Sequence, residues 1–184
     1  LYLRGVRPEA VQLPAMNGAV PRGWKKLDEN VMGEFGLNQM LKQFLGKARA
    51  DELAAPWAGD RYAVYEQSPE GRALLVLRMR VAGEAEASRF VAGYSELLEK
   101  KYANRSSVAK QANSFFLDTA DGGAFVRCVG RDCLLGEGAT RAQFDAMTRS
   151  MGWPAVRAGL TLTPRQSGSS AFLPVPGAPQ TELL

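Results

Sequence analysis

Between Arg72 and Val81 the apolar residues alternate without a break, with Ala73, Leu75, Leu77, Met79 and Val81 all on one parity. Only an extended strand, whose successive side chains point to opposite faces, gathers that set on a single surface; a helix scatters it around its circumference. The other parity starts apolar with Leu74 and Val76 and becomes charged with Arg78 and Arg80, so one end of that face is expected to be wet. Ser68-Pro69-Glu70-Gly71 precedes the run with the proline and glycine of a β-turn, and Arg61 to Gln67 before it carries Tyr62, Val64 and Tyr65. Together they predict a hairpin.

Around this hairpin the pattern changes period. Leu37, Met40, Leu41, Phe44 and Leu45 recur at helical spacing within Val31 to Leu45, and a shorter helix of about Lys47 to Ala55 follows until Pro56 forbids continuation. Glu84 to Tyr102 holds Ala87, Phe90, Val91, Tyr94, Leu97 and Leu98 on one stripe, the strongest helical pattern in the chain. Asn113 to Asp118, Ala124 to Val129 and Cys133 to Leu135 read as three more short strands, with Asp121-Gly122-Gly123 and Gly130-Arg131-Asp132 as turns. Thr140-Arg141-Ala142-Gln143 has the form of a capping box opening a last helix, which Gly152-Trp153-Pro154 ends. Hairpins outnumber crossovers, so the expected fold is α+β: an antiparallel sheet of about five strands with helices packed on one face.

The ends differ from the middle. Residues 1–30 hold Pro8, Pro14, Pro21, Gly5, Gly18 and Gly23 and read as an extended N-terminal arm; residues 31–154 read as one α+β domain; residues 155–184, rich in Pro, Gly and Ser, read as a tail. Phe172, Leu173 and Val175 of that tail are expected to dock on this domain or on a neighbouring copy, which makes a homo-oligomer through an exchanged tail an expectation. The chain opens on Leu1, read here as the remainder of a longer precursor.

Composition limits the chemistry. None of the 184 residues is histidine, which removes the commonest general base and the commonest zinc ligand, and with them Ser-His-Asp, Cys-His and histidine-bearing metal sites within the chain. No catalytic, cofactor-binding or metal-ligating set of residues is singled out by spacing. A net charge of +4 is small, and the one basic stretch, Lys100, Lys101, Arg105 and Lys110, falls near a helix C-terminus, where cations offset the dipole; nucleic acid is not an expected partner. No apolar run approaches the roughly 20 residues of a membrane span.

Four local groups invite a functional reading, each beside a plainer one. Cys128 and Cys133 flank Val129-Gly130-Arg131-Asp132. A four-residue loop would set them directly opposite, a three-residue loop would turn them to opposite faces, and a two-residue loop is expected to leave them one diagonal step apart, so they are either a disulfide or two small hydrophobes in the core. A bridge would suit an extracytoplasmic compartment. Trp57-Ala58-Gly59-Asp60-Arg61-Tyr62 could present Asp60 and Arg61 in a loop beside an aromatic wall; the plainer reading gives Gly59 a positive φ, Asp60 a turn hydrogen bond and Trp57 the helix-to-strand corner. The acid pairs Asp28-Glu29 and Asp51-Glu52 read as solvated residues near helix starts. Gly136-Glu137-Gly138-Ala139-Thr140 resembles a phosphate-binding loop but lacks its lysine and sets Glu137 where the anion would go.

Several short stretches carry a family resemblance: Tyr2-Leu3 with Pro8 and Pro14, Gly23-Trp24-Lys25, Met32-Gly33-Glu34, Ala54 through Tyr62 with its Trp57-x-Gly59-Asp60-Arg61 signature, and Glu86-Ala87 with Phe90. They resemble the C-terminal domain of bacterial secreted metallopeptidase-like proteins of the gluzincin type, in which an HExxH region comes first. The resemblance implies an extracytoplasmic location and a peptidase-like domain upstream as the partner. HExxH requires two histidines to hold zinc, so no catalytic role carries over to this chain. The expected function is a non-catalytic accessory domain acting by packing or recognition; the alternative is a free-standing domain that binds a peptide or small ligand on the face near Arg78 and Arg80. An enzyme working through carboxylates alone is a third reading.

Overall fold

The computed structural model describes residues 7–16, 18–20, 23–68, 71–105, 107–119 and 122–155. Its elements are β1 (Trp24–Asn30), α1 (Gly33–Leu45), α2 (Lys47–Ala54), β2 (Trp57–Gln67), β3 (Arg72–Val81), α3 (Glu84–Lys101), β4 (Ser107–Gln111), β5 (Ser114–Thr119), β6 (Gly122–Val129), β7 (Asp132–Ala139) and α4 (Arg141–Ser150). The strands form one sheet in the order β1-β2-β3-β7-β6-β5-β4, antiparallel at every pairing.

This corrects the expected fold: the sheet has seven strands, not about five. The two additions, β1 and β4, are its edges. The β1 sequence, Trp-Lys-Lys-Leu-Asp-Glu-Asn, has no apolar alternation and is mostly exposed, because an edge strand has a single neighbour and a bulge between Lys26 and Asp28 skews its faces. It lies inside the stretch read as an arm. Two other strands are longer than their sequence signals: β2 starts at Trp57 instead of Arg61, and β7 runs on to Ala139.

Helices cover both faces, which corrects the one-sided packing expected. On the first face Leu77, Met79 and Val81 of β3 join Phe115, Val126 and Leu135 beneath Leu37 and Leu41 of α1, Leu53 of α2 and Phe90, Tyr94 and Leu97 of α3. On the second face Leu74, Val76, Phe116, Phe125 and Leu134 meet Phe144 and Met147 of α4, with Ala19, Leu13 and Met16 of the N-terminal segment beside them. Phe125 and Phe144 sit 4.3 Å apart between ring centroids in a tilted pair, and burial of each such ring stabilises the layer by about 2 kcal/mol. Thr140 and Gln143 form the reciprocal capping box that opens α4, at 3.2 and 2.8 Å. Beyond Ala155 the tail, with Phe172, Leu173 and Val175, lies outside the described residues. No helix among the described residues is long and apolar enough to cross a membrane.

Candidate functional site

The end of the second face that begins apolar and turns basic is occupied. The bulge between Trp57 and Gly59 leaves Ala58 out of register with β3, and its carbonyl accepts the backbone N–H of Glu9 at 2.8 Å. From there residues 9–12 lie over the arginines of β3. Arg80 Nη1 donates to Glu9 Oε2 at 3.1 Å, Arg131 Nη2 donates to Glu9 Oε1 at 2.5 Å, and Arg78 Nη1 donates to the Gln12 carbonyl at 3.0 Å. Asp132 closes the cluster by accepting from Arg78 and Arg80 at 3.1 and 3.0 Å. The face near Arg78 and Arg80, expected to be free for a ligand, therefore carries the chain's own N-terminal segment.

Each partner is placed by local structure. Arg78 and Arg80 share a parity on β3. Arg131 stands in the turn between β6 and β7, where its carbonyl accepts from Val81 N–H at 3.0 Å and its Nε donates to the Val81 carbonyl at 2.8 Å, so its guanidinium is aimed at the segment. Gly59 is needed for a reason other than the positive φ expected of it. Its φ is not positive, but a Cβ there would lie 2.2 Å from the Glu9 carbonyl oxygen, so only glycine lets the two backbones approach. The hydrogen bond from Arg131 holds the Glu9 carboxyl below the usual glutamate range, with Arg80 acting in the same direction. In turn Asp132, and after it Glu9, hold the Arg80 guanidinium protonated more firmly than usual.

The Trp57–Arg61 signature is not a loop but the first half of β2, and its two faces do different work. Asp60 points into the helical layer, where it is buried and accepts the Trp57 indole at 2.9 Å and the backbone N–H groups of Met32 and Gly33 at 2.8 Å each. It is a cap for α1 supplied from another element, instead of the turn bond expected. Arg61 faces the other way and pairs with Glu29 at 3.0 Å. The acid pairs also lie elsewhere than at helix starts: Asp28 and Glu29 are in β1, bonded to Tyr62 and to Lys26 and Arg61, and Asp51 and Glu52 are inside α2, bonded to Lys47 and Arg49.

Cys128 and Cys133 are joined by a disulfide with Cα atoms 4.1 Å apart. They are direct register partners, as are Val129 and Asp132, so the loop is the two residues Gly130 and Arg131. The diagonal offset expected for a two-residue loop does not arise, because a loop centred between the cysteines leaves them opposite. The bridge sits one position behind Asp132 and two behind Arg131, at the hairpin tip that holds Glu9.

Two partly buried polar clusters have no signature in the sequence. The stretch compared with a phosphate loop is the end of β7, where Gly138 is passed over in the register with β6 and Glu137 turns toward α3. The Glu137 carboxylate accepts from Tyr94 Oη at 3.1 Å, from Lys101 Nζ at 2.5 Å and from Tyr102 Oη. Burial, and then the Glu137 charge, push the Tyr94 phenol well above its ordinary range. On the other face Arg127 is 4% exposed; its Nη2 donates to the Pro154 carbonyl at 2.5 Å and its guanidinium lies 5.7 Å from the Trp153 ring centre. Neither cluster has a local motif, since its members come from different elements.

Residues 22–148, more than half of the chain, match a family model described as Domain of unknown function (DUF8575). The chain belongs to this family. The match takes in β1 through most of α4, and with them Gly59, Arg78, Arg80, Arg131 and Asp132; Glu9 lies before it. No curated protein and no solved structure matches the chain.

Proposed function

We propose that this chain is a non-catalytic accessory domain of an extracytoplasmic protein and that it acts by holding extended polypeptide against the second face of its sheet. The observation that carries this reading is the seat of residues 9–12: a bulged carbonyl at Ala58, a glycine at 59 that admits a second backbone, and guanidiniums that bind both a side chain and a main-chain carbonyl. The seat combines a main-chain hydrogen bond with side-chain contacts, the two kinds of interaction that supply affinity and selection when a domain binds an extended peptide. The Cys128–Cys133 bridge supports a compartment outside the reducing cytosol.

The finer reading, that the partner is a metallopeptidase-like region of the same precursor, is supported by the resemblance of the Trp57–Arg61 signature and its companions. An HExxH sequence encoded upstream of the Leu1 codon is the expected finding, and a reading frame without one removes that part. The recognition itself is tested with extended octapeptides of acidic, neutral and basic composition offered to a Glu9→Lys chain, in which the resident segment is repelled by Arg80 and Arg131. At least one class is expected to bind and to slow amide exchange in β2 and β3. A folded variant that binds none of them overturns the reading.

A further inference from the structure

Resting on that reading, we infer that the second face selects a peptide bearing a carboxylate, and that the segment around Glu9 is a resident competitor that masks this site in the chain itself. Three guanidiniums, Arg78, Arg80 and Arg131, converge here on two carboxylates, Asp132 and Glu9. Asp132 belongs to the sheet and Glu9 to the segment. With the segment lifted, three cations face one anion, and that imbalance steers an incoming carboxylate to this face. Two guanidiniums, one on each carboxylate oxygen, make charge-assisted hydrogen bonds that an amide of the same shape, with its single accepting oxygen, does not match.

Two further features favour an exchangeable occupant. Arg78 Nε is buried and has no hydrogen-bond partner among the described residues, so the segment leaves one donor of the cluster unused. The Glu9 side chain, for its part, is 38% exposed and held by guanidiniums of which Arg131 is 40% exposed, a rim contact that water can reach. Such contacts are individually weak. A segment on the same chain competes through its effective concentration, which for a short tether is on the order of millimolar, so an external peptide of equal intrinsic affinity is suppressed until the internal one is weakened.

The test uses the full chain and a labelled octapeptide with the sequence of residues 7–14, Arg-Pro-Glu-Ala-Val-Gln-Leu-Pro, beside the same peptide carrying glutamine in place of glutamate. Fluorescence anisotropy is read for the unmodified chain, for Glu9→Lys and for the milder Glu9→Gln, each shown to be folded by its melting curve. The glutamate peptide is expected to bind Glu9→Lys at least ten-fold more tightly than the unmodified chain, with Glu9→Gln between them, and the glutamine peptide to bind Glu9→Lys at least ten-fold more weakly than the glutamate one. Equal affinity of the unmodified and Glu9→Lys chains overturns the resident competitor, and equal affinity of the two peptides overturns the carboxylate selection; either result leaves the peptide-holding reading in place. Failure of both peptides, together with the whole octapeptide panel, on folded Glu9→Lys and Glu9→Gln chains overturns the inference and that reading together.

Discussion

The indole N–H of Trp57 donates to Oδ1 of Asp60 across 2.9 Å, in a corner where both residues are buried. The same carboxylate takes the first backbone N–H groups of α1 from Met32 and Gly33, so one side chain on β2 fixes the start of a helix 27 and 28 positions earlier in the chain. Asp60→Ala strands three donors at once. Each costs about 1 to 3 kcal/mol when buried without a partner, partly offset by water entering the gap. The expected loss is about 3 kcal/mol in urea unfolding, with Asp60→Asn in between because an amide keeps one accepting oxygen. A loss below about 1 kcal/mol for the alanine variant would show that Asp60 does not anchor α1.

Gly59→Ala tests the close approach of the two backbones. A methyl group placed 2.2 Å from the Glu9 carbonyl cannot be accommodated, and the segment is the part free to move. Hydrogen exchange at the Glu9 amide is expected to rise to that of an unprotected residue, while the α3 amides keep their protection. Unchanged protection at Glu9 would mean that the seat is wider than the backbone positions indicate.

Removing the bridge with Cys128→Ala/Cys133→Ala is expected to lower stability by about 2 kcal/mol, the loop-closure value for cysteines five positions apart. Reductant should lower the melting temperature of the unmodified chain and leave the double variant unaffected. Equal melting with and without reductant in the unmodified chain would rule out a stabilising bridge.

Alkaline titration reports the Tyr94 phenol. Its folded-state value is raised, so the folded chain keeps a proton that the unfolded chain releases; the stabilisation is complete below the ordinary tyrosine range and is lost as pH climbs through and above it. Stability is therefore expected to fall with base more steeply in the unmodified chain than in Tyr94→Phe. Near neutral pH that variant should lose about 2 kcal/mol for its hydrogen bond to the Glu137 carboxylate. Parallel alkaline curves for the two proteins would contradict the buried, protonated phenol.

The correspondence between pattern and structure follows how local each signal is. The Arg72–Val81 strand has the bounds its alternation indicates, and the helices over 84–101 and 141–150 follow their stripe and capping box within a residue. These elements depend on spacing and on side chains within a few positions. The β1 strand, with two charged residues on either side of an exposed Leu27, and the glycine-bearing end of β7 have no such spacing. Gly136 is tolerated in a strand because the Phe125 ring occupies the place of its side chain, with a Cβ there only 2.5 Å from the ring.

The candidate site divides the same way. Arg78 and Arg80 are legible as a charged stretch on an otherwise apolar parity, and the cysteines as neighbours whose register was in question. Glu9 and Arg131 are 122 positions apart, and nothing near either one in the chain marks it as the other's partner.

The positions of the long helices and the central hairpin, and the absence of imidazole chemistry from this chain, are already legible in the order of the residues, because side-chain period and residue inventory are properties of the local chain. The seven strands of the sheet, the meeting of the cysteines, the capping of a distant helix by Asp60 and the seating of Glu9 on the arginine face emerge once the chain is folded. Those outcomes depend on which surfaces the folded backbone brings within hydrogen-bonding distance, and local pattern does not encode that distance.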